Sequence, residues 1–577
     1  MSDGPLPLWV VKPRPLSQAR AARVAEAVFR RSGLEQALQY SLGSSTGRPP
    51  EVSWRTLLVI CIVHGILKDG LLLTDIEQTG HELYEAGLLP AVRKGGVSYD
   101  QIRKHLRRLT IALADESVRD HNHFWLDRRT GELRDCPAGC PGGTVIDLRT
   151  FSALLLRASV PPGAAQTTSF AIDSTDIETW AARRSWRRRP DVVTPEEHDD
   201  TAQLGSDRDS FGFPRVGDDG RLQHSIDPDA RTGYRSGKNL APKGNFLGWD
   251  FHLVVAVPEY GGAPVPHVAL AMSLAPAGSL KSEPALSAVD AMVSVGHPVS
   301  TLLSDRGYSY LKPEHYALHL VARGIDSVHD LHTKQLGVHP GPITGTIWVD
   351  GWLYTSALPK SLRELGNRTL QMTAGEKAEL AEQFDKRRPY AFQWMGRPDP
   401  RTGARRMRGP ALKNKVRCVN VPATSRTDYN RPTTTCKRGE ACGCGATVTV
   451  EVEDQAWTRQ ARPWGSTEWA ASYGRRNAVE LYNSELKHHR AHLARGYTRV
   501  LGTAANHVLL TFALVGLNIR ILRDWHAKRL LPDPWMVYLG DTTDPDWAKK
   551  HGHRIRPPRK LSLHEKLGKT GKAPKRE

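Results

Sequence analysis

A chain of 577 residues with 39% hydrophobic and 24% charged residues has the length for three or four folded units and the balance of a globular protein. Lysine and arginine outnumber aspartate and glutamate 80 to 61, giving +19 and a pI near 9.6, which favours a polyanionic partner. The longest apolar runs, Leu57–Val63 and Val508–Leu517, fall short of the ~20 residues of a membrane span and read as buried helices. Seven cysteines over this length do not make a disulfide framework, and MSDGPLPLWVVKPRP has no basic stretch leading into an apolar core. A reducing, cytoplasmic location is expected.

Helical periodicity runs through residues 18–42 and 51–68. VSYDQIRKHLRRLTIAL predicts a further helix: Ser98 is placed to cap it, Gln101 completes a capping box, and Ile102, Leu106, Leu109 and Leu113 form its apolar face. Arg103, Lys104, Arg107 and Arg108 fall on the other side, as an ordinary solvated face or as a surface that tracks phosphates. Residues 1–135 are expected as a helical N-terminal domain.

Past the Gly/Pro-rich Cys136–Gly143 the pattern changes. TTSFAIDST predicts a strand ending at Asp173, and a polar excursion with RRSWRRRP and DPDARTGYRSGK follows. GWDFHLVVAV alternates with Phe251, Leu253, Val255 and Val257 on one face, and a turn at Gly261–Gly262 leads to a partner strand, PHVALAMSL. A helix at 283–295, a strand STLLSD ending at Asp305, and a helix opened by Pro313 and closed by Gly324 complete residues 160–332. The fold class is α/β, with aspartates at the ends of the first and fourth predicted strands.

Residues 333–465 are rich in Pro, Gly, Thr and Arg, with strand-like TIWVDGWLY and ATVTVEVE, and read as a mostly β insertion. Within it Cys418, Cys436, Cys442 and Cys444 make either a structural zinc site or a set of free thiols; their spacing is not that of paired CxxC knuckles. Cys136 and Cys140 lack two obvious partners. Residues 466–530 carry YGRRNAVELYNSELK and the apolar ANHVLLTFALVGLNIRILRDW. A basic tail spans 546–577, with eleven Lys/Arg against Glu565 from Lys549 to Arg576.

On one continuous helix Tyr473, Arg476, Glu480 and Lys487 form a polar stripe within about 60° of arc and ~21 Å long. A carboxylate between a guanidinium and an amine suits a face that meets phosphates and a hard metal ion. Two-metal phosphoryl transfer needs further carboxylates, and Asp173 and Asp305 are placed to supply them. Asp176 is the alternative to Asp173, Glu480 is an alternative solvated glutamate like Glu485, and Tyr473 is an alternative packed ring. Trp464 and Trp469 are either core or a platform for a displaced base.

The spacing Y-x2-R-x3-E-x6-K resembles the signature of a large group of bacterial insertion-sequence transposases of the DDE class, and AIDST and LLSDRGY resemble that family's two aspartate motifs. The resemblance covers about Thr167 to Trp525. It implies a ribonuclease-H-like catalytic core interrupted by the insertion before the last catalytic helix, with Asp173, Asp305 and Glu480 as catalytic ligands of Mg²⁺ or Mn²⁺. It assigns Tyr473, Arg476 and Lys487 to double-stranded DNA at the element's ends, and Arg103, Lys104 and Arg107 are candidate contacts to the same DNA. It further implies strand cleavage and transfer into target DNA, a homodimer bridging two ends, and a nucleoid-associated place in the cytoplasm. A related metal nuclease that cuts without joining, and a non-catalytic DNA-binding protein, are the alternatives.

Overall fold

The structure is a computed structural model that describes residues 9–11, 16–42, 52–89, 96–114, 124–127, 132–135, 146–184, 213–235, 244–367, 369, 371–399, 401–425, 431–541 and 552–554. Cys136, Cys140 and nearly all of the basic tail lie outside these residues. The periodic run at 18–42 forms two helices, α1 (Gln18–Ser32) and α2 (Leu34–Leu42), because Gly33 turns left-handed at φ 68° between them. Helices α3 (Trp54–Leu67), α4 (Leu73–Glu85), α5 (Tyr99–Ala114) and α6 (Leu148–Ala158) follow. The expected cap of α5 forms, with the Ser98 N–H donating to Gln101 Oε1 at 2.9 Å. Ile102, Leu106, Leu109 and Leu113 are buried, and Arg103, Lys104, Arg107 and Arg108 are exposed.

Strands β1 (Ser169–Glu178), β2 (Arg231–Arg235), β3 (Gly244–Ala256) and β4 (Ala269–Pro276), helix α7 (Ser282–Ser294), and strands β5 (Thr301–Ser304) and β6 (Asp326–His329) build the central sheet. Its order is β6-β5-β1-β3, with β4 and β2 sharing the far side of β3. β3 runs antiparallel to β1, β2 and β4, whereas β5 lies parallel to both β1 and β6. β3 is buried along almost its whole length, as a strand covered on both faces is.

Two expectations for these strands change. β1 does not end at Asp173 but runs on to Glu178, because its antiparallel ladder with β3 continues to the Glu178–Gly248 pair. Its apolar pattern stops earlier, where the parallel pairing with β5 ends at Ala171–Leu303. β5 ends at Ser304, and Asp305 caps a short helix, Arg306–Ser309.

The insertion holds two three-stranded antiparallel sheets. The first is β7 (Val338–Pro340), β8 (Thr346–Val349) and β9 (Trp352–Thr355); the second is β10 (Gln393–Met395), β11 (Arg405–Arg408) and β12 (Thr447–Val450). The β8–β9 hairpin turns at Asp350–Gly351, both at positive φ (48° and 79°) as a two-residue turn requires. Between the sheets lies helix α8 (Ala374–Asp385), opened by a Thr373–Glu376 capping box, which the mostly β expectation does not contain.

After the insertion come α9 (Thr467–Gly474), α10 (Asn477–Ser484) and the long α11 (Thr503–Ala527). α11 is the described helix long and apolar enough to cross a membrane, with mean hydropathy 1.5, yet 89% of its apolar window is buried inside the protein, as in a core helix. It packs against α3, α5, α6 and β4, so the N-terminal helices share one apolar core with the sheet. α3 crosses it where backbones touch: a Cβ on Gly516 would lie 1.8 Å from the Gly65 carbonyl oxygen.

One buried amide joins these layers. A register shift at Val254–Val255 disturbs the ladder beside Ala269, and Asn518 of α11 accepts from the Ala269 N–H at 2.9 Å and donates to its carbonyl at 2.7 Å. Asn518 Oδ1 also accepts from the Tyr482 hydroxyl of α10 at 3.1 Å. The same side chain therefore satisfies the sheet and fixes the helix that carries Glu480.

Candidate active site

Parallel pairing of β1 with β5 ends at Ala171–Leu303, and Asp173 and Asp305 each stand two residues beyond that pair. Equal steps along parallel strands bring the two carboxylates out together where the strands part. Asp305 accepts from the Gly307 N–H at 2.8 Å, and Asp173 from the Ser174 N–H at 2.9 Å. α10 packs on β1 and β3 and presents Glu480 to the same region.

The charges sense one another. Burial pushes the Asp173 carboxyl up to about 6; Asp305 and Glu480 add to the rise, and Arg476 and the Ser174 N–H oppose it. Arg476, only 9% exposed, donates to Glu480 Oε1 at 2.6 Å. Burial works against its charge, but Asp173, Tyr473, Asp305 and Glu480 more than restore it. Arg476 is thus the internal counter-ion of the acids.

The continuous stripe expected from the spacing is broken into three pieces. Tight i to i−3 hydrogen bonds at Arg475 and Arg476 separate α9 from α10, and a π-helical turn covers Glu485–His489. Tyr473 is half-buried and stacks on Trp469 at 5.0 Å with the rings 8° apart. Trp469 and Trp464 are themselves core residues, 1% and 3% exposed, which removes them as platforms for a displaced base. Lys487 reaches Asp176 at 2.9 Å, and Arg235 binds Asp176 and Glu178 from the other side. Burial alone would raise Asp176, but Lys487 and Arg235 hold it below the ordinary carboxylate range. Asp176 is committed to two cations, and Asp173 is the acid coupled to Asp305 and Glu480.

A supporting layer escaped sequence reasoning. Tyr308, three residues after Asp305, is buried with its hydroxyl 2.8 Å from His252 Nδ1. Burial, with Asp173 and Asp305 adding to it, pushes this phenol well above its ordinary value, while burial drives His252 down to about 3. Both rings therefore stay neutral beneath the acids. Lys281, before α7, donates to Ser174 Oγ at 3.0 Å. No spacing in the sequence links Lys281 or His252 to Asp173.

A second cluster lies in the insertion. The sulfurs of Cys418, Cys436, Cys442 and Cys444 all lie within 4.8 Å of one another, with 3.6 Å between Cys418 and Cys442 and 3.7 Å between Cys436 and Cys444. Four thiolates around zinc at ~2.3 Å stand about 3.8 Å apart. The group can bind a metal such as zinc. The carboxylates of Asp173, Asp305 and Glu480 do not close to that spacing while Glu480 is turned onto Arg476. Arg103, Lys104 and Arg107 lie on α5, and no described contact ties them to the acids.

No protein-family model, no curated protein and no solved structure matches this chain.

The raised Asp173 carboxyl has a measurable sign. Its value of about 6 lies above the ordinary 3.8, so ionised Asp173 costs stability above pH ~6 and the cost is relieved as pH falls toward 4. At ~1.4 kcal/mol per pH unit, the half-buried site makes this on the order of 1–3 kcal/mol. In chelator, Asp173→Asn is expected to be more stable than wild type to urea near pH 8, with the gap closing near pH 4–5. Equal stability at pH 8 would contradict the charge cluster.

Proposed function

We propose that this protein is a DNA transposase of the DDE class, acting on double-stranded DNA in a metal-dependent way. The observation that carries this reading is the electrostatic coupling of Asp173 and Asp305, each two residues beyond the last parallel β1–β5 pair, with one another and with Glu480 of α10, within the Y-x2-R-x3-E-x6-K spacing. The strand order supports a ribonuclease-H-like core: β1, β3 and β4 form an antiparallel series, with the short β2 beside β3, and β5 and β6 are then added in parallel beside β1. No ATP-binding motif is needed, because phosphodiester exchange conserves bond energy.

Asp173, Asp305 and Glu480 are hard oxygen donors whose mutual repulsion a divalent cation would relieve, so they fit Mg²⁺ or Mn²⁺. Such ions, when bound, stabilise the attacking and leaving oxygens of an in-line displacement. Neutral Tyr308, hydrogen-bonded to His252, lies within electrostatic reach of both aspartates, and Lys281 donates to Ser174 on the adjoining strand. Arg476 is the guanidinium that would turn to a backbone phosphate once Glu480 has another partner. Lys487 shares a charge-neutral quartet with Arg235, Asp176 and Glu178, which ties the π turn after α10 to β1 before any DNA contact. Exposed Arg103, Lys104 and Arg107 would track phosphates of the flanking duplex. A homodimer holding two ends together belongs to the same proposal.

Zinc is the metal assigned to the four cysteines, as a closed structural site. Protein purified under reducing conditions is expected to carry about one zinc per chain, lost from the Cys442→Ser/Cys444→Ser double variant. Elemental analysis finding no zinc in wild type would remove the assignment. The test of the function is joining of labelled duplex from the gene's flanks to a second DNA in Mg²⁺; cutting without joining would favour the nuclease.

A further inference from the structure

Residues 386–450 hold fifteen Lys/Arg and three Asp/Glu, so this stretch of the insertion supplies a net +12 of the chain's +19. The positions are not scattered. On β11, Arg406 and Arg408 share the outer face with Thr447 and Thr449 of β12, while Met407 and Val448 turn into the core. Lys413 and Lys415, both exposed, flank Asn414, whose φ of 53° makes the turn leading to Cys418. Lys437 and Arg438, also exposed, follow Cys436. Among the described residues Arg406, Lys413, Lys415 and Arg438 have no carboxylate in ion-pair contact, and the exposed Lys437–Glu440 pair at 3.6 Å contributes little.

What holds these like charges together is the four-cysteine cluster. Apart from the cysteines, the apolar core at this end of the insertion is small, with Ala357, Ala411 and Val416 as its buried members. Asn420 clamps the Lys437–Glu440 turn, donating to the Lys437 and Glu440 carbonyls at 2.9 Å each and accepting from the Gly439 N–H at 2.8 Å. The same Asn420 amide lies 3.6 Å from Cys442 Sγ, so the basic turn and the sulfur site are one unit. In a small unit with so little apolar core and so much positive charge, a metal on the four sulfurs would hold the shape.

We infer that this metal-stapled basic knob is a docking surface for the phosphate backbone of duplex DNA, separate from the acid site. It rests on DNA being the partner of the proposed function but not on any cleavage chemistry. Duplex is favoured over single strands because, among the described residues of this stretch, no aromatic ring is exposed on which a base would stack. The face offers guanidinium, ammonium and hydroxyl groups, which position a backbone without reading its sequence.

The test uses the full chain with its zinc, a labelled duplex of arbitrary sequence, and fluorescence anisotropy at stepped salt. The triple variant Lys413→Glu/Lys415→Glu/Arg438→Glu is expected to keep its zinc and its circular dichroism. Its slope of log affinity against log salt should flatten by about 2–3 units, at ~0.9 for each phosphate the protein no longer neutralises. Cys442→Ser/Cys444→Ser should lose zinc and flatten the slope by a similar amount. An unchanged slope in the triple variant overturns the inference, and so does tighter wild-type binding to single-stranded DNA or RNA of the same length. Asp305→Ala is the control that separates the two claims. Its slope should match wild type whatever happens to cleavage, so failure of the catalytic reading leaves this result standing, whereas wild type that binds no DNA sinks both.

Discussion

Alanine at Asp173, Asp305 or Glu480 is expected to abolish cleavage and joining together, by about a thousandfold or more, the scale on which removing a group that stabilises transition-state charge is felt. DNA binding should survive, since each substitution removes a negative charge from beside Arg476. Mn²⁺ should restore part of the rate to a variant that keeps two carboxylates, because it accepts the same oxygen ligands. Arg476→Ala should behave differently: end binding weakens first, and Mn²⁺ brings nothing back. It also strips Asp173 and Asp305 of their buried counter-ion, so the acidic limb of the pH–rate profile should move to higher pH. A paired gel-shift and cleavage assay across the four variants reads all of this. Near wild-type cleavage by Glu480→Ala would reduce the signature helix to a DNA clamp.

The second large effect is on stability. Gly516 faces Gly65 where α11 and α3 cross, and a Cβ there would sit 1.8 Å from a backbone oxygen, which cannot swing aside as a side chain would. Gly516→Val must push the two helices apart along a core that also holds α5 and α6. A cost of about 3 kcal/mol or more is expected, at the upper end for overpacking. Gly65→Ala should be similarly damaging, since its Cβ would meet the Phe512 carbonyl oxygen at 2.3 Å. Thermal unfolding of Gly516→Val at the wild-type midpoint would show that the helices do not meet there.

Asp305 was legible because an apolar strand runs straight into a helix cap, and α5 because its capping box and apolar face agree. Asp173 was legible as a residue but not as a position: the apolar pattern stops where a parallel partner ends, and the antiparallel ladder that carries the strand on leaves no hydrophobic trace. The stripe of Tyr473, Arg476, Glu480 and Lys487 assumed a uniform 100° step, which the tight turn at Arg475–Arg476 and the π turn at Glu485–His489 both break. β11 was hidden because three of its four residues are arginines, whose strand is set by the partners β10 and β12 rather than by propensity. α8 was not hidden; Thr373 and Glu376 spell its capping box. The Lys487–Asp176–Arg235 bridge joins residues 311 and 59 positions apart and has no local signal.

The most direct test of the central claim is strand transfer. A 5′-labelled duplex carrying the sequence that flanks the gene is incubated with the wild-type protein, a supercoiled plasmid and Mg²⁺, and the label is followed into plasmid-sized product. The predicted result is a joined product that needs Mg²⁺, is absent with Asp305→Ala, and carries a covalent bond between the end's 3′ oxygen and plasmid phosphate with no protein attached. Label that never enters the plasmid, or that enters equally with Asp305→Ala, would contradict the claim that these three carboxylates perform DNA transposition.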